Sequence, residues 1–480
     1  MSEFWGRKKE LARLERKLAE IARTGSGRML AVRGRRQAGK SRLLTRLVET
    51  AGLPYAYVTA VKNAPPSTQL DQVARDLRTS RTPLPHLDSA FAIPPATWAD
   101  FLARLPLALS DTPAVVVLDE FPWAAEADPA LEGLLQNAWD RHLEPRPVLL
   151  VLVGSDMAMM ERLTEHDRAL YGRASEMVVA ALDPAECAEA LGPSRSAFDA
   201  LDAYLVTGGY PRLMTEARRH RTTGAFVNDQ LRDENSDLAV VAQRVLDAEF
   251  RADLQARRVL ESIGGVEVGH ATFSSTVANL GGDPAAQTAV TRALEPLEHT
   301  KRVIAIDRPV GARPGTKLRR YRVADPYLRF WFRFVSPQVD DIARGRSDLA
   351  VDRYQRDWST WRGKAIEPVI HDAVRRLART EPALAGVTEV GGWWDRTGQH
   401  EVDVVGADDR GTVRVIGTVK WRARRAVTHA EITTVAEARA VVLAAATAKL
   451  LVVCPAGTRS GAESDLVLTA EEILGAFAAA

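Results

Sequence analysis

The segment Gly34-Arg-Arg-Gln-Ala-Gly-Lys-Ser41 restricts what this chain can become more than any other stretch. It satisfies G-x-x-x-x-G-K-[ST], and its setting matters as much as its letters. Met29–Val32 before it is a short apolar run of strand type, and helical spacing begins near Ser41. A glycine-rich turn between strand and helix aims main-chain N–H groups and a helix N-terminus at an anion. The pattern predicts a site for the phosphates of ATP, with Mg²⁺. Gly34, Arg35, Arg36, Gln37, Ala38 and Gly39 would form the cradle. Lys40 would neutralise the β- and γ-phosphates, and the Ser41 hydroxyl would ligate the metal.

The flanking sequence predicts the fold around that loop. Tyr55–Thr59, Val115–Leu118 and Val148–Val153 are further apolar runs, suited to strands covered on both faces. Helical spacing in Ser41–Thr50, Thr97–Leu109 and Leu131–His142 alternates with them. The expected class is α/β, a doubly wound parallel sheet. Val115-Val-Val-Leu-Asp-Glu120 ends in carboxylates at the carboxyl edge of such a sheet, where ligands bind. Asp119 is expected to hold Mg²⁺ through water, and Glu120 to orient an attacking water. Ser155, ending the next strand, reads either as a sensor of the γ-phosphate or as a plain strand-end turn.

At 480 residues the chain is too long for one core, and roughly two to four domains are expected. The reading places a P-loop core over 1–182, a helical lid over 183–255 and a winged helix over 256–325. A connecting helix and a smaller C-terminal α/β domain fill 326–480. The winged helix rests on two β-like runs, Arg302–Asp307 and Lys317–Val323, separated by Pro309, Gly311, Pro314 and Gly315. Arg302, Lys317, Arg319, Arg320 and Arg322 surround it, a cluster that fits either DNA phosphates or internal packing. The net charge of +2 gives no global argument for nucleic acid or membrane. Cys187 and Cys454 stand far apart without metal-ligand spacing, which suits a reducing cytoplasm. The charged N-terminus has no signal-peptide core, and the stretch Val441 to Cys454 is too short to span a bilayer. A cytoplasmic protein without membrane contact is expected.

Several motifs in order carry a resemblance to a known family. They are Phe4-Trp-Gly-Arg-Lys-Lys-Glu-Leu11, the phosphate loop, Leu118-Asp-Glu-Phe121, and Gly154-Ser155 with Met159-Met160-Glu161. Leu170-Tyr-Gly-Arg173 and Gly208-Gly-Tyr-Pro211 follow. Together they resemble a prokaryotic, AAA-related and STAND-like family of P-loop ATPases over roughly the first 215 residues. The resemblance implies that Gly6 and Arg7 lie beside the base or ribose. It implies that Arg173 reaches the phosphates, in cis or from a neighbouring subunit, where a surface ion pair is the plainer reading. Pro211 would sit in a turn that contacts the adenine, or simply break a helix.

Asp325-Pro-Tyr-Leu-Arg-Phe-Trp-Phe332 and Gly363-Lys-Ala-Ile-Glu367 extend the resemblance to a DUF234-type, restriction-endonuclease-like domain. That implies Glu367, Asp403 and Lys420 in a nuclease-like site, with carboxylates holding Mg²⁺ and the lysine stabilising charge. Thr418 stands where the pattern calls for an acid, and Glu401 shares a strand face with Asp403. An inactive structural domain and an ATP-dependent nuclease both remain open. The function expected is an ATP-driven switch, with DNA or a protein as its target; a non-enzymatic protein stabilised by bound ATP is a further reading, and homo-oligomerisation is left undecided.

Overall fold

The computed structural model describes residues 4–250, 253–266, 270–313, 315–442 and 444–478. Two compact units emerge, Arg7–Ala181 and a second formed by Leu182–Ala480 together with the chain up to Gly6.

The unit Arg7–Ala181 is built on five strands: β1 Arg28–Arg33, β2 Tyr55–Thr59, β3 Ala114–Asp119, β4 Val148–Gly154 and β5 Ala174–Val178. All pair in parallel, in the order β2-β3-β4-β1-β5. Every residue of β3 and β4 is buried, because helices cover both faces, and all their side chains are apolar except Asp119 at the end of β3. Burying one such valine or leucine stabilises the unit by about 1.5–3 kcal/mol. Thr97 caps the helix Trp98–Ala108 by accepting from the Asp100 N–H, and Phe101, Leu102 and Leu105 face the core. The helix Leu131–Ala138 runs into one π-helical turn, Trp139–Leu143, which leads to β4.

Two elements here were not foreseen. β5 reads Ala-Ser-Glu-Met-Val, and only Met177 of it is buried. Its place at the edge of the sheet spares it the apolar run that marks a central strand. The helix Pro66–Asp76 was also missed.

The second unit opens with helices Pro184–Leu191, Ala197–Thr207, Pro211–Arg218, Thr223–Gln230 and Asp237–Glu249. Asp183 and Glu186 close a reciprocal capping box on the first. Helices Leu254–Gly264, Phe273–Asn279 and Pro284–Glu295 follow, then the hairpin β6 Ile304–Asp307 and β7 Arg320–Val323. The hairpin is antiparallel, and Ala271 meets Tyr321 in an isolated bridge. Three helices followed by such a hairpin have the element order expected of a winged helix; Pro314 lies outside the described residues.

The aromatic segment forms the helix Pro326–Phe334, whose Tyr327, Phe330 and Phe334 are fully buried. Tyr354, Trp358 and Trp361, on the long helix Ser347–Ala365, pack against Phe330 and Phe334. The helix Ser347–Ala365 breaks at Ile366, and the next helix runs Glu367–Leu377. A mixed sheet closes the chain: β8 Glu389–Trp394, β9 Glu401–Ala407, β10 Val413–Val419, β11 Lys449–Val453 and β12 Leu466–Leu468. Its order is β12-β11-β10-β9-β8, with β8, β9 and β10 antiparallel and β10, β11 and β12 parallel. Thr428 caps the helix His429–Glu437. No helix among the described residues is long and apolar enough to cross a membrane.

Candidate functional site

The carboxyl ends of β1, β3 and β4 lie side by side, so the residues that follow them gather at one edge of the sheet. After β1 the chain turns at Gly34, takes a left-handed conformation at Gln37 (φ 63°) and again at Gly39 (φ 92°), and enters the helix Lys40–Ala51. Gly34 cannot carry a side chain: a Cβ there would lie 2.2 Å from the Val179 carbonyl oxygen. The Val179 N–H in turn donates to Arg33 O at 2.8 Å. Lys40 is buried, and its ammonium donates to Gly34 O at 2.7 Å and to Arg35 O at 3.1 Å. The lysine thus sits inside the loop that it would serve.

Asp119 is the hub beside this loop, only 6% exposed. The Ser41 hydroxyl donates to Asp119 Oδ2 at 2.7 Å, the Tyr57 hydroxyl donates to the same oxygen at 2.6 Å, and the Glu120 N–H donates to Oδ1 at 3.0 Å. The strand and the loop therefore bring together the serine and the carboxylate that the sequence paired. Burial first, and then the Asp119 charge, push the Tyr57 hydroxyl far above its ordinary range, so it stays a donor. Sequence reasoning missed Tyr57. The signal was available in the register: Tyr57 pairs with Val117, two residues before Asp119 and hence on the same face.

Glu120 adopts a left-handed backbone (φ 54°) and begins the helix Phe121–Ala127. Ser155, just past β4, donates to its carboxylate at 3.1 Å, so Ser155 holds Glu120 rather than ending a strand idly. Arg36 and Lys62 each lie 5.5 Å from the Trp123 ring, stacking cations on an indole. Arg7 is 3% exposed, and its guanidinium donates to Ala38 O at 2.6 Å and to Glu10 at 3.1 Å. It braces the loop from behind.

Arg173 precedes β5, whose first residue Ala174 pairs with Met29 near the start of β1. The phosphate loop follows the other end of β1, about 20 Å along the strand. Arg173 instead makes a two-pronged pair with Asp140, at 2.7 and 2.8 Å, holding that carboxyl below its usual range. This geometry favours the surface ion pair over a contact in cis.

Gly6 and Pro211 belong to the second unit. The Gly6 N–H donates to Glu189 at 3.3 Å. Pro211 opens its helix behind Gly208 and Gly209, both at positive φ. A Cβ on Gly209 would lie 2.0 Å from Leu182 O, and the Tyr210 hydroxyl donates to Asp325 at 2.7 Å, so this turn is packed into the unit's own core.

The C-terminal candidates meet, but not as a metal centre. Glu367, Glu401 and Asp403 line a cavity of about 380 Å³, and all three pair with a residue that the sequence reading left out, Lys364. Burial pushes the Glu367 carboxyl up to about 7. Lys420 does not line that cavity. Among the described residues no group of three or more His, Cys, Asp or Glu side chains is arranged to hold a metal. The ordinary signal for Lys364 was its i,i+3 spacing to Glu367 on helical sequence. Trp394 lies under the Arg320 guanidinium at 4.1 Å and Trp421 stacks on Phe198, so both pack rather than await a base. Arg320 and Arg322 on the hairpin are paired to Glu401 and Asp307.

Comparison with known proteins agrees with this division. Residues 3–152 match the family model of the AAA ATPase domain, and residues 331–434 match DUF234, a family of archaeal and bacterial proteins of unknown function. A relative described as uncharacterized protein MJECL04, from Methanocaldococcus jannaschii, is 22% identical over 420 residues, covering 87% of this chain and 88% of its own. The Walker-type ATPase of Pyrococcus abyssi is similar in structure, with a TM-score of 0.50 and 16% identity over 68% of this chain and 96% of that one. The ORC2 protein of Aeropyrum pernix is a looser match, with a TM-score of 0.42 and 18% identity over 74% of this chain and 96% of that one. At such identities the likeness to solved structures speaks for the fold alone. The chain is a P-loop protein that joins an AAA ATPase domain, residues 3–152, to a C-terminal domain of the DUF234 family, residues 331–434.

Proposed function

We propose that this protein hydrolyses ATP at the carboxyl edge of the parallel sheet and uses the cycle as a conformational switch. The observation that carries the reading is the Ser41–Asp119 pair, 2.7 Å apart beside a glycine-constrained loop. A hydroxyl and a buried carboxylate in that relation are the donor set for Mg²⁺, which would spread the charge of the β- and γ-phosphate oxygens. The loop N–H groups from Arg35 to Ser41 would bind the phosphates, and Lys40 would leave its loop carbonyls to meet the terminal ones. Glu120, steadied by Ser155, would orient the attacking water in line with the γ-phosphorus.

The test is phosphate release and ATP binding in three proteins. Lys40→Ala is expected to lose both. Glu120→Gln is expected to keep binding and lose turnover by about 100-fold or more. A native rate at background, left unchanged by Glu120→Gln, would make ATP a bound stabiliser and overturn the reading. For the partner, the pairing of Arg320 and Arg322 supports internal packing of the hairpin, while exposed Arg313 and Lys317 leave DNA as the second reading. Turnover unchanged by added duplex DNA would remove nucleic acid from the account.

A further inference from the structure

Glu367, Glu401 and Asp403 reach one point from two elements, the start of the helix Glu367–Leu377 and the strand β9. That point is taken. The Lys364 ammonium, from the last turn of the preceding helix, lies 2.9 Å from Glu367 Oε1, 2.9 Å from Glu401 Oε1 and 3.4 Å from Asp403 Oδ1. Other donors meet two of these carboxylates as well. Arg320 pairs with Glu401 Oε2 at 3.0 Å, and His270 lies 3.7 Å from Oε1. The Thr418 hydroxyl and the Val419 N–H donate to Asp403 Oδ2 at 3.0 and 2.9 Å.

Mg²⁺ demands carboxylate oxygens at about 2.0–2.1 Å in near-octahedral array and excludes another cation from the same point. This site offers it a like charge already at the centre, a second cation, Arg320, on Glu401, and a neutral Thr418 in the place of an acid. The residues do not fit the metal that a nuclease-like fold implies.

We propose that Lys364 is the resident cation of this site: it neutralises Glu367, Glu401 and Asp403 in place of a divalent metal, and the DUF234 domain performs no metal-dependent phosphodiester cleavage. The lysine thereby becomes the centre of an ionic clasp. It joins two helices to β9, and Arg320 extends the clasp to β7 of the hairpin.

The experiment is a Mn²⁺ titration of the full chain without nucleotide, with free Mn²⁺ read by its electron paramagnetic resonance signal. The native protein and Asp403→Asn are expected to titrate alike. Lys364→Met leaves three carboxylates facing one another, and it is expected to gain one Mn²⁺ per chain, at least tenfold tighter than any native binding. Adding Asp403→Asn to that variant should abolish the gain, and Lys364→Arg should show none. Lys364→Gln, with a polar head of similar reach, repeats the test should the methionine variant misfold. Native Mn²⁺ binding that Asp403→Asn removes would overturn the proposal. So would folded Lys364→Met and Lys364→Gln proteins that bind no more Mn²⁺ than the native chain. Because no nucleotide is present, either result leaves the ATPase reading untouched.

Discussion

Single residues decide the chemistry here through their neighbours. Tyr57 shows this beside Asp119, where its hydroxyl shares Oδ2 with Ser41. One net hydrogen bond of this sort is worth about 1 kcal/mol, or roughly fivefold in an equilibrium. Tyr57→Phe is therefore expected to raise the Mg²⁺ concentration for half-maximal ATP turnover about fivefold, with little change in stability; an unchanged Mg²⁺ dependence would count against Asp119 as the metal-holding residue. Asp202 makes a different point. It is buried, bonded to Arg362 at 2.6 Å and to the Trp421 indole N–H at 3.1 Å, and burial outweighs both partners to push its carboxyl up to about 6. The folded chain holds that proton more tightly than the unfolded chain does. Its contribution is thus full below about pH 4 and is lost as pH rises through about 6, with a ceiling of about 3 kcal/mol. The thermal midpoint of the native protein should fall between pH 4 and 7 more steeply than that of Asp202→Asn, measured by calorimetry across that range. Parallel slopes would show the carboxylate to be ionised throughout.

At the scale of elements, what the sequence made legible was what burial makes uniform. β3 and β4 are covered on both faces, so their apolar runs announced them, and the loop they flank was legible from its glycines and lysine. β5, β8 and β12 escaped because only some of their side chains are buried, and partial burial leaves no run to see. The same cause hid Lys364, whose role depends on β9, a strand some forty residues away that only folding brings beside it. Arg173 stayed open between cis, trans and an ion pair because a motif fixes order along the chain and says nothing about which edge of a sheet a residue reaches. Arg173→Ala is accordingly expected to leave the dissociation constant for ATP within twofold of native. Its pair with Asp140 is largely solvent-exposed, so its loss should cost at most about 1 kcal/mol. A tenfold weaker affinity at protein concentrations where the chain is monomeric would restore the cis reading.

For the whole molecule, the division at Ala181 and Leu182 has a thermodynamic signature. Each unit has its own buried core, that of Arg7–Ala181 centred on Val116, Leu150 and Phe101 and that of the second on Tyr210, Tyr327 and Phe330. Scanning calorimetry is expected to resolve two transitions. ATP with Mg²⁺ at about 100 times its dissociation constant should stabilise only the ATPase unit, by about 2.7 kcal/mol, and should do nothing to Lys40→Ala. Equal shifts of both transitions would mean that the units unfold as one. The glycine at position 34 bears on the same division. Its bare α-carbon rests against the peptide of Val179, and three residues later the chain crosses into the second unit. Under the switch proposed here, a triphosphate that flexed the loop would press on the departing backbone, much as a thumb on a lever moves the arm. On that proposal, news of which nucleotide is bound would leave the ATPase unit along the covalent chain itself.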